Sequence, residues 1–225
     1  MQKFDRLFEL LKDCPDGHVF NPWFDVDDEN DISQKAPEIR RNNLLSYLRQ
    51  RKSARYLLIA EAVGYQGGHF SGIAMTSERI LLGQMLSKGI TPDSVFKGNN
   101  HLRTSKPELK PNGFSEPTAT IVWGAVLDSG IDPNKFLFWN IFPWHPYNPQ
   151  KGMLSNRTPT RQELMYGPPI VKTLLKIFEN MTVFAVGQKS AGKMRDMGIA
   201  CEAFRHPARG GSRKFREQFA AVFRS

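Results

Sequence analysis

Residues 55–68 read RYLLIAEAVGYQGG, and the way this stretch folds decides the rest. Tyr56 to Ala60 form an unbroken apolar run. A strand with one wet face would alternate apolar and polar residues; an unbroken run ending in glycines is the mark of a strand buried on both faces and followed by a tight loop. KFLFWNIF (135–142) and MTVFAVG (181–187) repeat the pattern, and a fourth, weaker strand lies near CEAFR (201–205). Helical segments separate them. TSERILLGQML (76–86) opens with a Thr or Ser cap and continues as a helix. TATIVWGAVLDSG (118–130) and PPIVKTLLKIF (168–178) also read as helix and NRTPTRQELM (156–165) as a loop and helix, with a short helix through Ala191 and Met194 and a basic helix over 212–223.

Strands alternating with helices give a mostly parallel sheet covered on both faces. The expected fold is therefore a three-layer α/β/α domain around a four-stranded sheet. One domain spans 1–225, with a helical extension over about 1–50. In that extension Phe4, Leu7, Phe8 and Leu11 make an amphipathic stripe, so it is not a signal peptide. PEIRRNNLLSYLRQ (37–50) is helical with Pro37 in its first turn, and CPDGHVFNPW (14–23) is a turn-rich connector. DVDDEND (25–31) lacks the Gly and distal Glu of a calcium loop and reads as a solvated acidic loop. Residues 97–117, rich in Gly, Pro and Asn, are a loop.

The formal net charge is +9. Residues 183–225 hold nine Lys or Arg against three acids, so the tail supplies +6 of it. Such a balance points to an anionic partner, nucleic acid being the usual one. Two cysteines, Cys14 and Cys201, are too few for a disulfide framework or a thiolate metal site. They read as reduced thiols of a cytoplasmic protein, and no apolar run nears the roughly 20 residues of a membrane span. No metal and no cofactor is expected.

GQKSAGK (187–193) has the spacing of a phosphate-binding P-loop. The residue after Lys193 is Met194, however, where magnesium needs a hydroxyl, and a true P-loop usually follows the first strand. The stretch is a strand-to-helix turn, and the chain is not a nucleoside triphosphatase.

Ligands of parallel sheets bind beyond the carboxyl ends of the strands. After the first strand come Glu61, Phe70 and the glycines Gly64, Gly67, Gly68 and Gly72; taken alone this is equally a glycine-rich turn with a surface Glu. The second strand ends at Asn140, whose amide reads a nucleobase edge or caps the next turn. The last ends at His206, next to the basic helix, where a structural role is the plainer alternative.

Together these pieces resemble the uracil-DNA glycosylase superfamily. AEAVG (60–64) is similar to the G-E-A-P-G motif of its family 4 branch, and GGHFSG (67–72) to the segment with the base-stacking aromatic. Asn140 followed by NRTPTRQEL is similar to the asparagine motif and the segment after it, VGQKSAGKM (186–194) to the penultimate turn, and HPAR (206–209) to the closing H-P-S motif. Ala60, Val63 and Ala208 depart from those patterns, and the four iron–sulfur cysteines of family 4 are absent, which places the chain in another branch.

The resemblance implies a monofunctional, monomeric DNA glycosylase of base excision repair. It flips a deaminated or damaged base out of DNA and hydrolyses the N-glycosidic bond. Phe70 would stack on the base, Asn140 bind its Watson–Crick edge, His206 stabilise the developing negative charge and Glu61 orient the water. Glu78 is a second candidate carboxylate, with stabilisation of a helix N-terminus as its plainer role. Arg209 would enter the minor groove, and Arg213, Lys214 and Arg216 would contact phosphates. Gly64, with Tyr65 next to it, stands where the most selective relatives carry a Tyr that bars thymine, which implies a site open to thymine, hypoxanthine or xanthine as well as uracil. The competing class is a non-catalytic nucleic-acid-binding protein of the same fold.

Overall fold

The computed structural model describes residues 2–98 and 101–224. Its centre is a parallel sheet of four strands: β2 (Tyr56–Ala62), β3 (Phe136–Phe142), β5 (Thr182–Val186) and β6 (Glu202–Phe204), in the spatial order β3-β2-β5-β6. β2 and β3 are the apolar runs expected to be buried on both faces; all seven residues of β3 are buried.

Helices cover both faces. α1 (Gln2–Lys12) and α2 (Ala36–Gln50) precede the sheet. Three one-turn helices follow β2: α3 (Gly68–Ser71), α4 (Glu78–Leu81) and α5 (Pro92–Val95). Then come α6 (Pro117–Asp128), α7 (Gly167–Ile177), α8 (Gln188–Asp196) and α9 (Ser212–Phe223). The basic helix α9 docks through Phe215, Phe219 and Phe223, spaced one turn apart and all buried. Leu7 and Leu11 of the N-terminal extension are fully buried in the same core as the sheet. Fully burying one such side chain is worth about 1.5–3 kcal/mol. No helix among the described residues is long and apolar enough to cross a membrane.

Four expectations need correction. The helix over 76–86 is only the single turn α4, because Gly83 takes φ +72° and the Glu78 carboxylate is drawn sideways to the backbone N–H groups of Thr104 and Ser105, at 2.7 and 2.9 Å. Glu78 thus fastens the chain at Thr104 and Ser105. The connector at 14–23 contains a strand, β1 (Val19–Phe20), which pairs antiparallel with β4 (His145–Pro146) in a second small sheet. The acidic loop is not wholly solvated: Asp27 and Asp31 are buried, Asp31 in an ion pair with the equally buried Arg40 (2.7 Å). The helix expected at the end of NRTPTRQELM is only a 3-10 turn, Glu163–Tyr166, which leads straight into α7.

The GQKSAGK stretch is helical from Gln188, with Gly192 inside α8. No open loop remains there to wrap a phosphate. Gly187 itself takes φ +100°, a conformation only glycine adopts freely, and ends β5 abruptly.

Candidate functional site

The register sets where the strands end. Ala60 lies opposite Asn140, Ile59 opposite Ala185 and Val186 opposite Phe204. The chain therefore leaves β2, β3, β5 and β6 side by side, and the residues just beyond share one rim. A cavity of about 410 Å³ opens there, lined among others by Glu61, Gly64, Asn140 and His206. A second cavity of about 620 Å³ adjoins it, shares Glu61 and His206, and is walled by Lys189, Arg205, Arg209 and Lys214. Four of the expected site residues thus meet at one place, and two of the expected DNA contacts stand at its edge.

Asn140 is buried, and its Oδ1 is enclosed with no hydrogen-bond partner among the described residues. A buried acceptor left without a partner costs about 1–3 kcal/mol.

His206 is positioned through glycines. A Cβ on Gly187 would lie 3.2 Å from the His206 Cβ, and one on Gly211 would lie 2.0 Å from the His206 carbonyl oxygen. The backbone N–H of Ala208 donates to His206 Nδ1 at 3.1 Å. That bond fixes the tautomer, with the proton on Nε2. Burial, then the nearby Arg205, holds the imidazole below its ordinary range, so it stays neutral. The result is a neutral N–H donor at the cavity wall.

Glu61 stands where the two cavities meet and is paired with Lys189 (3.2 Å), which also donates to the Thr158 hydroxyl (3.1 Å). Gly64 lines the cavity; Tyr65 donates its backbone N–H to Asn156 Oδ1 at 3.0 Å and packs its ring edge-on against Phe114.

The structure does not bring every expected residue to this place. Phe70 is fully buried and stacked on Phe114, with ring centroids 4.2 Å apart, and does not line the cavity. The single turn α3 aims the ring into the protein. Glu78 is likewise buried and engaged by the 104–105 backbone. Arg213 is exposed and pairs with Glu217 on its own helix. Arg216 lies in a separate groove with Ala125 and Asp128 of α6. No cluster of metal-ligating side chains occurs among the described residues.

Sequence reasoning missed three cavity residues. Asn156 and Arg157 sit in the NRTPT segment, where Asn156 holds the Tyr65 backbone and Arg157 makes a double ion pair with Glu163 (2.6 and 2.7 Å). Glu116, immediately before α6, turns its carboxyl into the cavity wall. Burial raises that carboxyl to about 7.

The sequence matches no protein-family model and no curated protein sequence. Among solved structures, it is similar to the crystal structure of wild-type Pedobacter heparinus SMUG2 with a TM-score of 0.60 and 13% identity, over 98% of this chain and 96% of that one. At that identity the likeness speaks for the fold. The fold is uracil-DNA-glycosylase-like.

Proposed function

We propose that this chain is a DNA glycosylase that excises a deaminated base. The observation that carries the reading is the pairing, in one strand-end cavity, of an open acceptor on Asn140 with a neutral N–H donor on His206. The likeness to SMUG2, a DNA glycosylase, supports the same class. The cavity is of the size range that encloses a small ligand, about 300–1,000 Å³.

In this reading DNA lies across the basic second cavity, with Arg209 and Lys214 on phosphates, and the target nucleotide swings into the first. Flipping costs a few kcal/mol, least for a base that is already mispaired. Asn140 Oδ1 accepts the ring N–H of the base. His206 Nε2–H donates to the base carbonyl oxygen that gains negative charge as the glycosidic bond breaks. A preorganised donor of this kind is worth about 2.7–4 kcal/mol of barrier. Glu61 faces the sugar, stabilises its oxocarbenium character and orients the attacking water; Lys189 holds that carboxylate in place. Gly64 puts no side chain against the base, so larger oxo bases enter as well as uracil. Phe70 packs on Phe114 in the core rather than stacking on the base.

Labelled duplexes carrying single uracil, hypoxanthine, xanthine or G·T sites, treated with protein and then hot alkali, test this directly. Strand cleavage at one of these sites, lost in His206→Ala and Asn140→Ala, is the expected result. Binding of the duplexes without cleavage at any site would instead favour a non-catalytic DNA-binding protein.

A further inference from the structure

Glu116 occupies the N-cap position of α6, yet its side chain makes no cap bond among the described residues. The half-buried Glu116 lines the cavity, with Oε2 enclosed against Gly67 and without a hydrogen-bond partner among the described residues. Gly67 makes room for it: a Cβ there would lie 1.9 Å from that oxygen. The ionisable groups on the other walls are otherwise engaged. Glu61 from β2 is paired with Lys189, Arg157 from the segment before α7 with Glu163, and His206 from the β6–α9 turn is neutral and bound by Ala208. With no cation beside it, burial keeps this carboxyl largely protonated up to about pH 7.

Deamination replaces an exocyclic amino group, a donor, by a carbonyl, an acceptor, and places a hydrogen on the neighbouring ring nitrogen. The complement of that new lactam edge is one donor beside one acceptor. Both residues line the cavity: Asn140 carries an acceptor, Oδ1, without a partner among the described residues, and a neutral carboxyl on Glu116 supplies the O–H donor. Building on the glycosylase reading, we propose that Glu116 in its neutral acid form donates to a carbonyl of the extruded base while Asn140 accepts the adjacent ring N–H. The two residues together then select deaminated bases. A normal amino base would set N–H against O–H and a bare ring nitrogen against Oδ1, leaving buried polar groups unpaired. The ionised carboxylate inverts the preference, because it only accepts.

The test is calorimetric affinity for free uracil and free cytosine at about pH 5.5, 7 and 8.5, for the wild type, Glu116→Gln and Glu116→Ala, alongside excision from a uracil duplex. Wild-type affinity for uracil should fall about tenfold from the lowest to the highest pH as the acid form is depleted, and cytosine should bind more weakly at low pH. Glu116→Gln, which keeps a neutral donor, should bind uracil equally at all three values, within about threefold of the wild type at low pH; Glu116→Ala should be about tenfold weaker there. Uracil affinity independent of pH, undiminished in Glu116→Ala, or undetectable throughout would overturn the assignment. Excision with flat uracil affinity would remove Glu116 alone. The expected pH dependence without excision would remove the glycosylase reading and leave the base-selecting pair in place.

Discussion

Two enclosed polar regions of this molecule differ in one respect. Beneath α3, His69 contacts Asp27 (3.1 Å) and His145 (2.9 Å), and His145 donates through Nε2 to the Ser155 carbonyl (2.7 Å). Asp27 also receives the Asn30 amide, and Asp31 binds Arg40. Each of these groups has found its partner within the chain. Hydrogen bonding there fixes the protons: with Nε2 of His145 donating, its Nδ1 accepts from His69 Nδ1–H, and His69 shares a further proton with Asp27. Burial opposes the Asp27 charge, but the bonds from His69 and Asn30 outweigh it and hold the carboxyl below its ordinary range. At the strand ends, in contrast, Asn140 Oδ1 and Glu116 Oε2 are enclosed and unpaired among the described residues. A satisfied network holds a fold together, and a buried polar group without a partner costs stability unless water or a ligand meets it.

That contrast makes separable predictions. Asp31→Ala leaves Arg40 charged and buried without its counter-ion, bonded only to the Pro22 and Asp25 carbonyls among the described residues, and should lower stability by about 3–5 kcal/mol in urea unfolding. A loss below about 1 kcal/mol would mean that the network is not holding the N-terminal half in place. His206→Ala should reduce excision by about 10²–10³-fold with little change in unfolding midpoint; the reverse pattern would move His206 from the site to the scaffold.

The pH profiles should also run in opposite directions. Burial pushes His145 down to about 3, so between its ordinary range and that value the unfolded chain binds a proton that the folded chain does not. Stability should therefore fall as pH drops from about 6.5 toward 3, a slope that His145→Gln reduces. Glu116 is raised instead, and the folded chain holds its proton where the unfolded chain has lost it. Its burial thus costs stability as pH rises from about 4.5 to 7, and Glu116→Gln should be more stable than the wild type at neutral pH, but not at pH 4, by thermal melting. The smallest effect belongs to the rim. Lys214→Ala should reduce the slope of log affinity against log salt by about 0.9 for one lost phosphate contact.

Much of this architecture was legible in the sequence because buried parallel strands leave the plainest pattern. β2, β3 and β5 are apolar runs, and α9 is the basic helix expected over 212–223. Glu61, Asn140 and His206 converge because each leaves the carboxyl end of a strand, which topology alone predicts. What stayed hidden depends on partners far along the chain. Two-residue strands such as β1 and β4 carry no periodicity, and they pair Val19 with Pro146. Asp27 and Asp31 look like solvated acids until His69 and Arg40 are brought against them. The inward turn of Phe70 and the cavity-facing carboxyl of Glu116 are matters of side-chain direction, which composition does not encode.

The measurement that tests the contrast most directly is a titration of labelled protein with free uracil, followed by NMR at the Asn140 side-chain amide and at the rings of His69 and His145. The Asn140 amide should shift and saturate while both rings stay where they were. An unmoved Asn140 amide, or a response confined to the histidine network, would contradict the account.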